Sequence, residues 1–249
     1  MHHIHLSDAA LALSRILHFH RIHHGFFGGF AILSTTQSPS RETKDLDVLV
    51  SATKSTITSL LSQRHGWLEI PQNREDYVAY FYRNPYSSGS SASSISSTST
   101  ESELEDKPAP MVLVEMFVGH QAERFPVSKN CVLRGRHMGT SYVPILSEEY
   151  LFRGKLNAAA TRGKKGDVDD ILYLVETYAD VIKDRLDGVD KKVVNEAVRR
   201  HPELRRALMK VGIRAPRAPL QWGLKKEKIV FSVVPAKTWD VHRGLGWRE

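Results

Sequence analysis

Cysteine is almost absent. Cys131 is the only one in 249 residues, so no disulfide can close within the chain and a reducing compartment is expected. No supporting motif surrounds Cys131, which therefore reads as a small filler residue rather than a nucleophile. Long apolar runs are missing as well: no stretch approaches the ~20 residues that span a bilayer. The start, Met1 to His24, breaks its short apolar runs with His, Arg and Asp, so it lacks the apolar segment of a signal peptide. No internal repeat is visible. These absences give the expectation of an intracellular, cytoplasmic protein with no membrane partner; they leave its oligomeric state open. The histidines that crowd the amino terminus (His2, His3, His5, His18, His20, His23 and His24) have no carboxylate or cysteine to complete a tetrahedral set. They read as solvated or adventitiously metal-binding, although His20 and His24 have helical i, i+4 spacing.

Charge is present in excess of one sign. Lys plus Arg number 35 against 28 acids, a net charge of +7, which favours polyanionic partners such as nucleotides or RNA. Hydrophobic residues at 41% and charged residues at 25% are ordinary for a globular chain.

The pattern along the chain predicts a mixed α/β front half and a helical back half. Asp8 to His20 is predicted helical, capped by Ser7 or Asp8, with Leu11, Leu13, Ile16 and Leu17 as its apolar stripe. A Gly-rich turn follows at Gly25 to Gly29, then a polar loop from Ser34 to Lys44. Leu46 to Val50 reads as a buried strand, Thr56 to Arg64 as a helix and Tyr77 to Tyr82 as a strand. Ser87 to Thr100 is mostly serine, followed by acids from Glu101 to Asp106; residues 86–108 are expected to form a disordered insertion. Met111 to Val118 resumes as a strand carrying Glu115. Helices are predicted over Ser147–Arg162, Asp167–Asp184, Asp190–Arg200 and Pro202–Val211. The expected organisation is an α/β domain over 1–145, a helical region over 146–211 that completes the site, and a tail over 212–249 without assignment.

Asp45 and Asp47 lie two apart at the entrance of a strand, so their carboxylates share a face roughly 6–7 Å apart. Two acids so placed repel, and a divalent cation between them removes that penalty; oxygen-only ligands suit magnesium. Glu115 supplies a third carboxylate if its strand is a neighbour. Thr43 joins the same face. Upstream, Gly28-Gly29 marks a turn where backbone amides can approach an anion. The alternative readings are a pair of solvated acids and a plain turn.

The sequence Gly28-Gly29-Phe30-Ala31, a loop, and Arg41-Glu42-Thr43-Lys44-Asp45-Leu46-Asp47-Val48-Leu49-Val50 resembles the nucleotidyltransferase superfamily that includes DNA polymerase beta. A second block runs from Leu151 to Arg162 and on through Gly166-Asp167-Val168-Asp169-Asp170. It is similar to the helical block of the nucleotidyltransferase-like toxins of abortive-infection and toxin–antitoxin systems, with Lys155, Arg162, Asp167 and Asp170 in the matching places. On the helix, Leu151, Lys155 and Ala159 stack at i, i+4 spacing, which puts Lys155 at the margin of the buried stripe, facing a phosphate or snorkelling to solvent. Asp167 either caps its helix or takes part in catalysis.

The resemblance implies a nucleotidyltransferase-type mixed sheet with flanking helices. It also implies transfer of a nucleoside monophosphate from a nucleoside triphosphate to an acceptor hydroxyl on RNA, protein or a small molecule. Gly28, Gly29, Arg41, Thr43 and Lys155 would bind the nucleotide. Asp45, Asp47 and Glu115 would hold Mg2+, or Mn2+ in its place, and Asp47 or Asp167 would take the acceptor's proton. The chain departs from the pattern at two places: Gly166 stands where the family has lysine before the Asp167 position, and the third acid is Glu115 rather than an aspartate. A catalytically degenerate nucleotide-binding domain and an RNA-binding module are the alternative functions.

Overall fold

The fold comes from a computed structural model, which describes residues 3–35, 42–85, 110–119, 127–186 and 188–215. The serine-rich insertion, Arg41 and the tail from 216 onward lie outside the described residues. The expected mixed α/β class is what is found: a seven-stranded sheet and, among the described residues, seven helices.

The chain runs α1 (His3–Phe19), β1 (His24–Phe27), α2 (Gly28–Thr35), β2 (Asp45–Val50), α3 (Lys54–Leu61), β3 (Trp67–Ile70), β4 (Tyr77–Tyr82), β5 (Val112–Val118), β6 (Val127–Arg134) and β7 (Thr140–Leu146). Four helices follow: α4 (Glu148–Thr161), α5 (Lys165–Arg185), α6 (Lys191–Arg200) and α7 (Leu204–Lys210). The strand order is β3-β4-β5-β2-β1-β7-β6. β2 and β5 pair in parallel, whereas β1–β2, β4–β5 and β3–β4 are antiparallel. The chain divides into two compact units, Met1–Arg124 with Asn130–Pro144, and Phe125–Lys129 with Ile145–Glu249.

In the first unit the strands bury alternate residues, as period-two side chains require. Leu46, Val48 and Val50 of β2 and Val114, Met116 and Val118 of β5 enter one apolar core with Leu6, Leu13 and Leu17 of α1. Asp45, Asp47 and Glu115 alternate with these residues and are only half-buried. The strand pattern thus separates the carboxylates from the core.

Two local expectations are corrected here. The first helix begins at His3, so neither Ser7 nor Asp8 caps it. Ser7 Oγ instead donates to the His3 carbonyl one turn back. Asp8 is buried and accepts from the backbone N–H groups of His137 and Met138, both at 3.0 Å. It caps a turn 130 residues away, between β6 and β7, a partner that no local pattern discloses. The Gly25–Gly29 turn is a strand followed directly by a helix, with the reversal concentrated at Gly28, whose φ is +68°.

The histidine cluster is also not uniformly solvated. His24 is 5% exposed within β1, while α1 ends at Phe19, so His20 and His24 share no helix. Cys131 packs partly buried against the core and its Sγ donates to the Ser34 carbonyl; burial pushes its thiol pKa up.

The second unit buries one stripe from each of its helices: Leu151, Phe152 and Leu156 of α4, Ile171 and Leu174 of α5, Val194 and Val198 of α6, and Leu204 and Leu208 of α7. Asp190 caps α6 by accepting from the Lys192 N–H at 2.7 Å, as Asp does at this position.

Candidate active site

The parallel register of β2 and β5 sets Asp47 beside Glu115 and Asp45 beside Leu113. Neighbouring strands lie about 4.8 Å apart, and directly paired residues project to the same side. Asp45, Asp47 and Glu115 therefore occupy one face of adjacent strands. Thr43 Oγ1 donates to Asp45 Oδ1 at 3.0 Å, which fixes one of that carboxylate's oxygens. Gly28 lies against the same group. A Cβ built at Gly28 would fall 1.9 Å from Asp47 Oδ2, and its positive φ also disfavours any side chain. The amino end of α2 and the Asp47 carboxylate thus approach each other in a way only glycine permits.

Tyr77 is a residue the sequence reading passed over as an ordinary strand position. Its hydroxyl donates to Glu115 Oε1. The register explains the reach: Ala79 is the direct partner of Glu115 and offers only a methyl group, while Tyr77 is two residues away, opposite Phe117. A phenol spans that diagonal easily. The Tyr77 ring is held by Phe117, centroids 5.3 Å apart, and by the Arg74 guanidinium 5.1 Å from its centroid. Asp76 in turn fixes Arg74 through two hydrogen bonds of 2.9 and 3.1 Å. Burial first, then the Glu115 carboxylate, push the Tyr77 phenol above its ordinary value, so at neutral pH it keeps its proton and donates. Only the strand register could have exposed this role.

Among the described residues, no group of three or more His, Cys, Asp or Glu side chains is already arranged to hold a metal ion. The donor chemistry does fit a hard divalent cation: three carboxylates on one face of two paired strands, with no nitrogen or sulfur donor among them.

The residues that match the family's helical block belong to the second unit. Lys155 of α4 is 5% exposed, and its ammonium sits 2.7 Å from Asp170 Oδ2 and 3.3 Å from Asp167 Oδ1. This corrects the expectation of a lysine at the margin of the stripe or snorkelling to solvent. α5 supplies two buried acids, so the charge is neutralised where it stands. Arg162 adds two hydrogen bonds to Asp167, of 2.8 and 2.9 Å. Burial alone would raise the Asp167 pKa, but the Arg162 bonds and the Lys155 charge outweigh it and hold the carboxyl below its usual value. Asp167 does not cap α5; Lys164 occupies that position and makes no side-chain cap bond.

The structure thus gathers Gly28, Thr43, Asp45, Asp47 and Glu115 in one unit, and Lys155, Arg162, Asp167 and Asp170 in the other. Gly29 follows Gly28 in the first turn of α2 and is buried.

A family model described as "Nucleotidyl transferase AbiEii toxin, Type IV TA system" matches residues 11–243. An antigenic nucleotidyltransferase-like protein from Paracoccidioides brasiliensis shares the fold, with a TM-score of 0.51 at 18% identity over 84% of this chain and 93% of that one. A candidate nucleotidyltransferase from H. pylori gives a TM-score of 0.45 at 13% identity, over 99% of this chain and 92% of that one. No curated protein matches the chain.

Proposed function

Because the chain belongs to the family of AbiEii nucleotidyl transferase toxins, we propose that it is a magnesium-dependent enzyme moving a nucleoside monophosphate from a nucleoside triphosphate to an acceptor hydroxyl. The observation that carries this reading is the pairing of Asp47 with Glu115, with Asp45 on the same face and Gly28 against Asp47. Asp45, Asp47 and Glu115 would hold the ion or ions. When bound, such ions neutralise charge on the α-phosphate and on the departing pyrophosphate.

The remaining work falls to the chain's own groups. The backbone amides of Gly28 and Gly29, at the positive end of α2, suit the triphosphate. Thr43 holds the Asp45 carboxylate in place. The acceptor oxygen attacks the α-phosphorus, the bond to pyrophosphate breaks, and the hydroxyl proton passes to a carboxylate. We assign that proton to Asp47. Arg162 and Lys155 hold the Asp167 carboxyl below its usual value, and Asp167 serves to orient those cations. Lys155 acts within the second unit, where its ammonium is held by Asp170 and Asp167. The acceptor is RNA, protein or a small molecule.

The test is direct. The protein is incubated with Mg2+, each α-labelled nucleoside triphosphate in turn, and a cell extract, and the labelled molecule is identified. Label should appear with the wild type and be absent with Asp47→Ala. Full labelling by a folded Asp47→Ala protein overturns the assignment. Metal-independent RNA binding without label transfer would instead support an RNA-binding module.

A further inference from the structure

We propose that Tyr77 is a positioning residue for the divalent cation, acting through its hydrogen bond to Glu115; the inference rests on the function proposed above. Three structural observations carry it. Tyr77 is 7% exposed, yet its hydroxyl is spent on an acid rather than on a backbone carbonyl. Its ring is fixed from two sides, by Phe117 and by Arg74, and Arg74 is itself anchored by Asp76. The residue directly across from Glu115 is Ala79, which leaves the phenol an open path to the carboxylate.

A glutamate has one more rotatable bond than an aspartate. As the third acid beside Asp47, Glu115 would lose more freedom on binding an ion than Asp does. Tyr77 removes that freedom beforehand: it occupies Oε1 and leaves Oε2 for the ion. Carboxylates that ligate metals are ordinarily held in this way by a second hydrogen bond, and losing the holder costs about 10–100-fold in metal affinity or activity. Tyr77 and its Arg74–Asp76 brace thus compensate for the longer third acid.

The experiment measures Mn2+ binding directly, by the electron paramagnetic resonance signal of free ion during titration, so the readout does not depend on turnover. Wild type, Tyr77→Phe, Glu115→Asp, the double variant and Asp47→Ala are compared, with thermal unfolding in EDTA as the fold control. Tyr77→Phe keeps the ring and its contacts, so its ion-free melting should stay near wild type while Mn2+ affinity falls by about tenfold or more. On the Glu115→Asp background, whose shorter acid no longer reaches the phenol, Tyr77→Phe should change affinity little; that lack of additivity is the signature of action through Glu115. If Tyr77→Phe does not fold, Tyr77→His, which keeps a ring donor, replaces it and should retain more affinity than Glu115→Gln.

Equal Mn2+ affinity in wild type and Tyr77→Phe, with Asp47→Ala defective, overturns the role of Tyr77 and leaves the proposed function standing. Absence of Mn2+ binding in the wild type overturns the metal site itself, and Tyr77's role with it. An equal loss from Tyr77→Phe on both backgrounds overturns the pathway through Glu115.

Discussion

His24 shows how one buried residue fixes its own chemistry. The Ile22 carbonyl can only accept, so the His24 Nδ1, 3.0 Å away, carries the proton and donates. Nε2, 2.9 Å from Ser14 Oγ, then accepts from that hydroxyl. The ring is a neutral tautomer with both nitrogens used. Burial is the main reason its pKa is lowered from 6.5 to about 4. The folded state resists a proton that the unfolded state takes, so stability is complete above pH 6.5 and is lost as pH falls toward 4. At ~1.4 kcal/mol per pH unit the whole loss is about 3 kcal/mol. Urea unfolding of wild type and His24→Gln at steps between pH 7 and 4 should show the steeper decline in the wild type. Parallel declines would mean that His24 is not a titrating burden on the fold.

At the scale of elements, α4 and α5 are pinned by Lys155, Asp167 and Asp170 together. Removing one partner of a buried pair leaves an uncompensated charge, at about 3–5 kcal/mol. Lys155→Met should therefore destabilise the protein, because two buried acids lose the ammonium between them, Asp170 at 2.7 Å and Asp167 at 3.3 Å. Asp167→Asn should cost less, and its cost should depend on pH. A carboxyl with a depressed folded pKa contributes above its unfolded value, ~3.9, and that contribution is lost as pH falls through the folded value. The gap between wild type and Asp167→Asn should thus narrow in acid. A Lys155→Met protein as stable as wild type would show the pair to be spectators.

Which elements could be read in advance follows the same physics. β2 and β5 stood out because acids interrupt apolar runs. β3 is short and largely exposed, with Trp67 and Ile70 only half-buried, so no alternation marked it. β1 and α2 hid behind the glycines, because sequence cannot say which one turns the chain. The Lys155 burial hid because its partners come from another helix, and Tyr77 because cross-strand register is not written in either strand alone.

For the whole molecule, the question is whether binding is driven by a built site or by bulk charge. The first unit's core is apolar and the carboxylates alternate away from it, so an ion is not needed to fold the chain, and EDTA should leave the unfolding midpoint unchanged. A ligand that binds only the folded state adds RT ln(1 + [L]/Kd), about 2.7 kcal/mol at a hundredfold excess over Kd. Mn2+ with a non-hydrolysable nucleoside triphosphate should therefore raise the wild-type midpoint, and EDTA should abolish the rise. Asp47→Ala should show no rise, while its ion-free stability equals or exceeds wild type, since one member of a like-charged set is gone. The net charge of +7 makes the opposite prediction. Stabilisation by nucleotide alone, persisting in EDTA and in Asp47→Ala and fading with added salt, would show polyanion attraction to the basic surface in place of a carboxylate site.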